Sequence, residues 1–221
     1  MSISMSKRKI YAFLRDLSDN NRKEWMDAHR ARYEEAKAIW IETCGRLLER
    51  LGEQDAFYRD IEPKDTIERI NNNLMYHPDL PTYKNNFGFA PGEEKGSGLY
   101  VYVSPPYSFI AGGVHNPDNG MLKQIRAAID RNGKALQAII DDADFRAYFD
   151  GGLEDDPKML KTSPKGYPND HKHIALLRRK NFTVSHRLTQ EEVIGDEFPE
   201  VVAEAYGKMR PLLLFMREAI G

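Results

Sequence analysis

The run Gly98-Leu99-Tyr100-Val101-Tyr102-Val103 decides the fold class. β-Branched and aromatic residues in unbroken succession favour a pleated, extended backbone, and this is the clearest strand in the chain. Three further runs rich in Tyr, Val, Ile and Phe, punctuated by Gly and Pro, surround it: Thr66 to Leu74, Asn86 to Ala90 and Ser108 to Val114. They read as strands joined by turns, and with no helical period between them they favour antiparallel pairing.

Outward from this sheet the period changes to that of helices. Ile10, Phe13, Leu14 and Leu17 follow the i, i+3, i+4, i+7 spacing, and Ser18-Asp19-Asn20-Asn21 breaks the pattern before a second helical stretch. From Ala28 to Glu53, Tyr33, Ala36, Trp40, Cys44, Leu47 and Leu51 form one apolar stripe on a long helix. Downstream, a helix is predicted from Asp118, with Leu122, Ile125, Ala128 and Ile129 on one face, an interruption at Gly133, and Leu136, Ile139 and Ile140 beyond it. A Pro- and Gly-bearing loop, Gly151 to Asn169, leads to a short helix over His171 to Arg178 and a strand from Asn181 to His186. Thr189 with Glu192 matches a capping box, and Phe198 to Ile220 closes the chain as a helix that Pro211 should kink. The expectation is an α+β fold, a small and mainly antiparallel sheet flanked by N-terminal, middle and C-terminal helices. With no repeat, low-complexity tract or long linker, a single domain over residues 1–221 is expected.

Composition narrows the function classes. Of 221 residues, 41% are hydrophobic and 10% aromatic, enough for a sizeable core. The single cysteine, Cys44, has no disulfide partner and lies in a core stripe, which makes it filler rather than a nucleophile. Met1 to Ile10 lacks the apolar run of a signal peptide, and Leu212 to Met216 falls far short of the ~20 residues that cross a bilayer. A cytoplasmic protein without a membrane partner is expected. Charge is segregated: Lys158 to Arg187 holds five lysines and three arginines against Asp170, a balance of +7 that leaves −9 on the rest of a chain of net charge −2. Such a segment can focus a field on an anionic partner, or form a solvated face with no specific role.

Few residues carry recognisable chemistry. His77 with Asp79 and His171 with His173 have spacings found in metal sites. Neither has the longer Cys or His pattern of a zinc centre, and on a helix the second pair would diverge, so no metal and no cofactor are expected. No phosphate loop, dinucleotide fingerprint or G-x-S-x-G elbow occurs. The stretch RINNNLMYHPDLPTYKNNFG, Arg69 to Gly88, is unusual for a structural strand and turn, because its asparagines compete with the backbone for hydrogen bonds. It reads either as a hairpin stiffened by Pro78 and Pro81 or as a wall of ligand-binding amides and hydroxyls, with Arg69 and Lys84 supplying charge. Nucleic acid is the weaker expectation: Tyr167 and Phe182 interleave with basic residues, but a pI near 6.3 and the absence of a recognition motif argue against a dedicated binder.

Phe13-Leu14, Asn20-Asn21-Arg22, Glu24-Trp25, Tyr33-Glu34, Arg69-Ile70, Asp79, Tyr83-Lys84, Gly88, Gly112-Gly113, Pro164-Lys165-Gly166-Tyr167, His171, Leu177 and Lys180 occur in order along the chain. In that order and over nearly the whole length, the sequence resembles the conserved-hypothetical family catalogued as domain of unknown function 2461, a family without an assigned activity. Asn72, Asn73 and Met75 stand where the family pattern has charged residues, and Leu80 stands where it has lysine. The resemblance implies that segments 69–88 and 165–180 share one site, with Arg69, Asn73, Tyr83, Lys84, Lys165 and Lys180 binding a small anionic or polar ligand. His171 would be a hydrogen-bond donor or general acid/base if catalysis occurs. The departures shift the first segment towards neutral hydrogen bonding. The different-class alternative is a noncatalytic interaction protein whose basic face, 158–187, docks an acidic partner or nucleic acid. Whether the chain is an enzyme, and its oligomeric state, stay open at this point.

Overall fold

The computed structural model describes residues 3–221. Contacts group the chain into two compact units, one built from Met1–Pro91, Tyr100–Ile110 and Arg187–Glu204, the other from Gly92–Leu99, Ala111–His186 and Ala205–Gly221.

In the first unit, α1 (Ile3–Asp19) ends at the expected break, and α2 (Lys23–Ala28) leads into α3 (Arg30–Gln54). The periodic residues of α1 and α3 are buried: Leu14, Leu17, Trp40, Cys44, Leu47 and Leu51 are all fully enclosed. Burying these faces supplies the apolar driving force for packing α1 on α3. Trp40 also satisfies its one polar atom, the indole N–H donating to the Gly88 carbonyl at 3.0 Å. Gly88 lies in β1 (Phe87–Phe89), which pairs antiparallel with β3 (Ser97–Val103) in the register Phe87↔Val103, Gly88↔Tyr102, Phe89↔Val101. Thr189 and Glu192 form the reciprocal capping box of α7 (Gln190–Ile194), as the sequence predicts.

The predicted strand Thr66 to Leu74 is not formed. Pro63–Thr66 is a 3-10 turn, and only the isolated bridges Ile67↔Phe89 and Asn71↔Tyr83 follow it. The physical reason lies in the asparagines: the Asn72 side chain donates to the Pro81 carbonyl at 2.8 Å, tying the chain down as a hairpin stem. The stem is closed by Asn72 N–H to Thr82 O at 3.1 Å and Lys84 N–H to Ile70 O at 2.7 Å, with an exposed tip carrying Leu74, Met75, Tyr76 and Leu80.

In the second unit, β2 (Glu93–Glu94) pairs with the start of β3. The Asp118 carboxylate caps α4 (Asn119–Asp141), accepting from Met121 N–H at 2.8 Å. α4 is interrupted where expected, Asn132 leaving helical geometry at φ −141°, ψ 37° next to Gly133. The sequence reading did not foresee α5 (Ala143–Tyr148); Asp142 starts it by accepting from Phe145 N–H at 2.9 Å. The short helix predicted over His171 to Arg178 is shorter, α6 (Ile174–Arg178), so His171 and His173 precede it. β5 (Phe182–Leu188) follows, and at Gly113 of β4 (Ser108–Val114) a Cβ would sit 2.0 Å from the Phe182 carbonyl oxygen with φ at +125°, a position only glycine fills. α8 (Phe198–Ile220) runs through Pro211, whose missing N–H removes the usual helical donor to the Gly207 carbonyl.

The strands form a five-stranded antiparallel sheet, ordered β1-β3-β4-β5 with β2 on β3, and the fold is α+β. Among the described residues no helix is long and apolar enough to cross a membrane.

Candidate functional site

The asparagine-rich segment of the first unit is anchored by Asn21, from the α1–α2 break. Its Nδ2 donates to the Tyr83 carbonyl at 2.8 Å, and its Oδ1 accepts from Tyr83 N–H at 2.8 Å. This two-way pairing imitates a strand partner and satisfies both backbone groups of a buried residue. Around it lies a cavity of about 280 Å³ whose polar walls are Asn21, Asn72, Tyr83, Lys84, Asn85 and Asn86, completed by Ser18, Leu80 and Pro81. Asn21 was absent from the sequence-derived site. Its signal was the paired asparagine of the helix break, which reads equally well as a turn former.

Of the residues predicted in this segment, Tyr83 and Lys84 line the cavity. Arg69 and Asn73 are exposed and are not among its walls. Lys84 is already paired, its Nζ lying 3.2 Å from Glu68 Oε2. The same oxygen accepts from the Tyr100 phenol at 3.1 Å. Burial first, and the Glu68 carboxylate second, push the Tyr100 phenol well above its ordinary pKa, so it remains a donor. Gly88 makes this cluster fit: a Cβ there would stand 2.8 Å from the Tyr100 hydroxyl and 3.0 Å from Glu68 Oε2. A carboxylate facing Lys84 engages its ammonium, and Asn21 and Asn72 spend amide groups on Tyr83 and Pro81, which leaves Asn85 and Asn86 as the wall amides not engaged in the bonds described.

The other predicted residues belong to the second unit. His171 Nε2 lies 3.1 Å from Asp130 Oδ1, and its Nδ1 accepts from the His173 backbone N–H at 3.1 Å. These partners assign the Nε2–H tautomer and occupy both ring nitrogens. The Tyr167 ring meets His171 edge-on at 6.2 Å, and the His173 ring rests against Gly133, where a Cβ would approach to 2.5 Å. Burial, followed by the neighbouring Lys172 and His171, lowers the His173 pKa and favours its neutral form. Lys165 is exposed, and Lys180 is half-buried with its backbone N–H bound to Asp156.

The charge of Lys158 to Arg187 is offset by acids that directly precede it. Asp156 accepts from Lys158 N–H, Lys180 N–H, Asn181 N–H and Asn181 Nδ2. Although burial opposes its ionisation, these bonds hold the carboxyl below its ordinary pKa. Glu154 accepts from the Thr183 and Ser185 hydroxyls at 2.7 Å each, and its carbonyl accepts from Arg179. The lysines outside this network, Lys161, Lys165 and Lys172, are exposed and without an ion pair among the described residues. Among the described residues no group of three or more His, Cys, Asp or Glu side chains is arranged to hold a metal ion.

The family model described as "Conserved hypothetical protein (DUF2461)" matches residues 9–215. No curated protein and no solved structure matches the chain.

Proposed function

The chain belongs to the conserved hypothetical protein family DUF2461, and from that premise we propose that it binds a small polar ligand in the asparagine-lined cavity of segment 69–88. The observation that carries this reading is the wall composition: four asparagines, two of them partly engaged by Tyr83 and Pro81, with Tyr83 and Lys84 around about 280 Å³. Amides offer both donors and acceptors, and a concave site with a few converging polar groups suits a ligand rich in hydroxyls or amides. The Lys84–Glu68 pair supports an uncharged polar ligand over an anion, and Arg69 of the same segment is exposed. Both nitrogens of His171 being engaged supports a positioning role for that residue rather than proton transfer.

A thermal-shift screen against sugars, amino acids and phosphorylated metabolites tests the reading. A stabilising compound should lose its effect in Asn72→Ala, because ligand-linked stability scales with affinity. A ligand that stabilises Asn72→Ala and wild type equally sinks it. Loss in Arg69→Ala alone would restore the anionic preference.

A second reading rests on a different observation, the exposed Lys161, Lys165 and Lys172, which have no ion pair among the described residues. In it the basic face 158–187 docks an acidic partner, and binding would weaken steeply with salt.

A further inference from the structure

Beside the cavity, the hairpin joining β3 and β4 carries rings that the polar site does not use. Tyr102 of β3, Phe109 of β4 and Tyr107 of the turn lie nearly parallel, with interplanar angles of 13° between Tyr102 and Phe109, 19° between Tyr102 and Tyr107, and 8° between Tyr107 and Phe109. Their centroid separations are 5.1, 5.2 and 6.0 Å respectively. In a single column the outer pair would stand at nearly twice the inner spacing. These centroids instead form a triangle, so the rings tile a stepped aromatic surface. Tyr100 extends it, 6.2 Å from Phe109. The rings alternate with buried residues along the strands, Tyr102 between Val101 and Val103 and Phe109 between Ser108 and Ile110, which puts them on the outer side of the sheet. Tyr107 is 50% exposed. Gly88, opposite Tyr102, adds no side chain to cover them.

We propose that this aromatic terrace binds a pyranose ring of an uncharged oligosaccharide. The C–H face of a pyranose is flat and apolar and matches one or two aromatic rings in area, while its equatorial hydroxyls need polar partners around the rim. Glu68 supplies an acceptor there, the half-exposed Tyr107 phenol is hydrogen-bonded to the Tyr102 phenol, and the Lys84 ammonium is within the same cluster. Charge separates this ligand from single-stranded nucleic acid, which also stacks on exposed rings but requires cations to follow its phosphates. The ionised groups beside Tyr100 are Glu68 and Lys84, which pair with each other at 3.2 Å and leave no net positive charge at that edge of the terrace. The inference goes beyond the cavity reading, since Tyr102, Tyr107 and Phe109 do not line the cavity.

Aromatic-region NMR titration of the full chain with cellohexaose, maltohexaose and chitohexaose, and separately with oligothymidylate, tests it. Saturable shifts of the Tyr102, Tyr107 and Phe109 ring signals are expected with at least one neutral hexasaccharide, insensitive to salt. Tyr107→Ala, a substitution at an exposed turn position, should weaken that binding about tenfold, the scale of one lost stacking contact, and Tyr107→Phe should largely retain it. Asn72→Ala should leave it unchanged, which separates failure here from failure of the cavity reading. Absence of ring shifts with all three sugars at about 10 mM, a concentration that would reveal even millimolar affinity, overturns the proposal. Equal binding by Tyr107→Ala, or ring shifts produced only by oligothymidylate and lost in salt, also overturns it.

Discussion

Asn21 and Tyr83, 62 positions apart, exchange two hydrogen bonds of 2.8 Å, one in each direction, between a side-chain amide and a backbone peptide. The helix break and the asparagine-rich hairpin are thereby fastened to each other through one residue. Replacing Asn21 by Ala leaves a buried N–H and a buried carbonyl without partners, and about 1–3 kcal/mol of stability should be lost. Asn21→Asp keeps the acceptor but turns a carboxylate oxygen towards the Tyr83 carbonyl, so it should fail to rescue at neutral pH. Urea denaturation of both variants checks this, and a loss below about 0.5 kcal/mol for Ala, the level of an ordinary surface change, would contradict it.

Gly88→Ala should disrupt the Glu68–Tyr100 bond, since the new methyl would meet both partners at 3.0 Å or less. The neighbouring side chains must shift, and overpacking of this kind costs about 1–3 kcal/mol. The raised Tyr100 phenol titration should be displaced towards lower pH in the variant, visible by ultraviolet difference spectroscopy.

Cys44 is enclosed in α3, and burial pushes its thiol up to about 12 from the usual 9.0. Folded protein therefore holds the thiol protonated at pH 8–9, where an unfolded chain begins to form thiolate. Aromatic disulfide reagents should label Cys44 at the rate of global opening, negligible in buffer and fast in urea. Prompt labelling of the folded chain would place the thiol at the surface instead.

Lys7 gives a pH dependence of the same sense as a paired carboxylate, displaced to an alkaline window. Its ammonium is buried between the Gly195 carbonyl and the Phe198 ring, and desolvation, partly offset by Asp196, lowers its pKa from 10.5 to about 8. Between pH 8 and 10.5 the unfolded chain binds more protons at this position than the folded one, so its contribution to stability rises with pH across that window. The difference in unfolding free energy between wild type and Lys7→Met, measured at pH 7.5 and at pH 10, should move in favour of wild type at the higher pH.

Asp156 supplies the acid limb. Its folded pKa is depressed by four donors, so the stabilisation is present above the unfolded carboxyl value and fades as pH falls through the folded one. Asp156→Ala should cost about 1–3 kcal/mol at pH 7 by stranding the N–H groups of Lys180 and Asn181, and should flatten the stability profile below about pH 4.

The helices were legible because their signal is local: Leu14, Trp40, Leu47 and Ile125 repeat at the helical period, and all are buried. The capping box at Thr189 and the strands around Tyr102 were legible for the same reason. Thr66 to Leu74 was not, because Asn72 satisfies a backbone carbonyl across the hairpin through its side chain, and alternation carries no information about that competition. The basic segment misled in another way. Its count began at Lys158, two residues after the carboxylate that organises it, and charge summed along a window ignores what folds back upon it. Half of the cavity wall was visible as a run of amides, but Asn21 reaches it from a distant helix break that no local pattern links to Tyr83.

Tyr107 follows Pro105 and Pro106 in the turn between the two strands. Each proline fixes one backbone dihedral, so the turn that holds this ring has little freedom left to lose. Anything that settles on the terrace meets a surface already held in its bound shape. In calorimetric language, association there should carry a small conformational-entropy penalty, and its affinity should track the enthalpy of contact with the rings rather than the ordering of a loop.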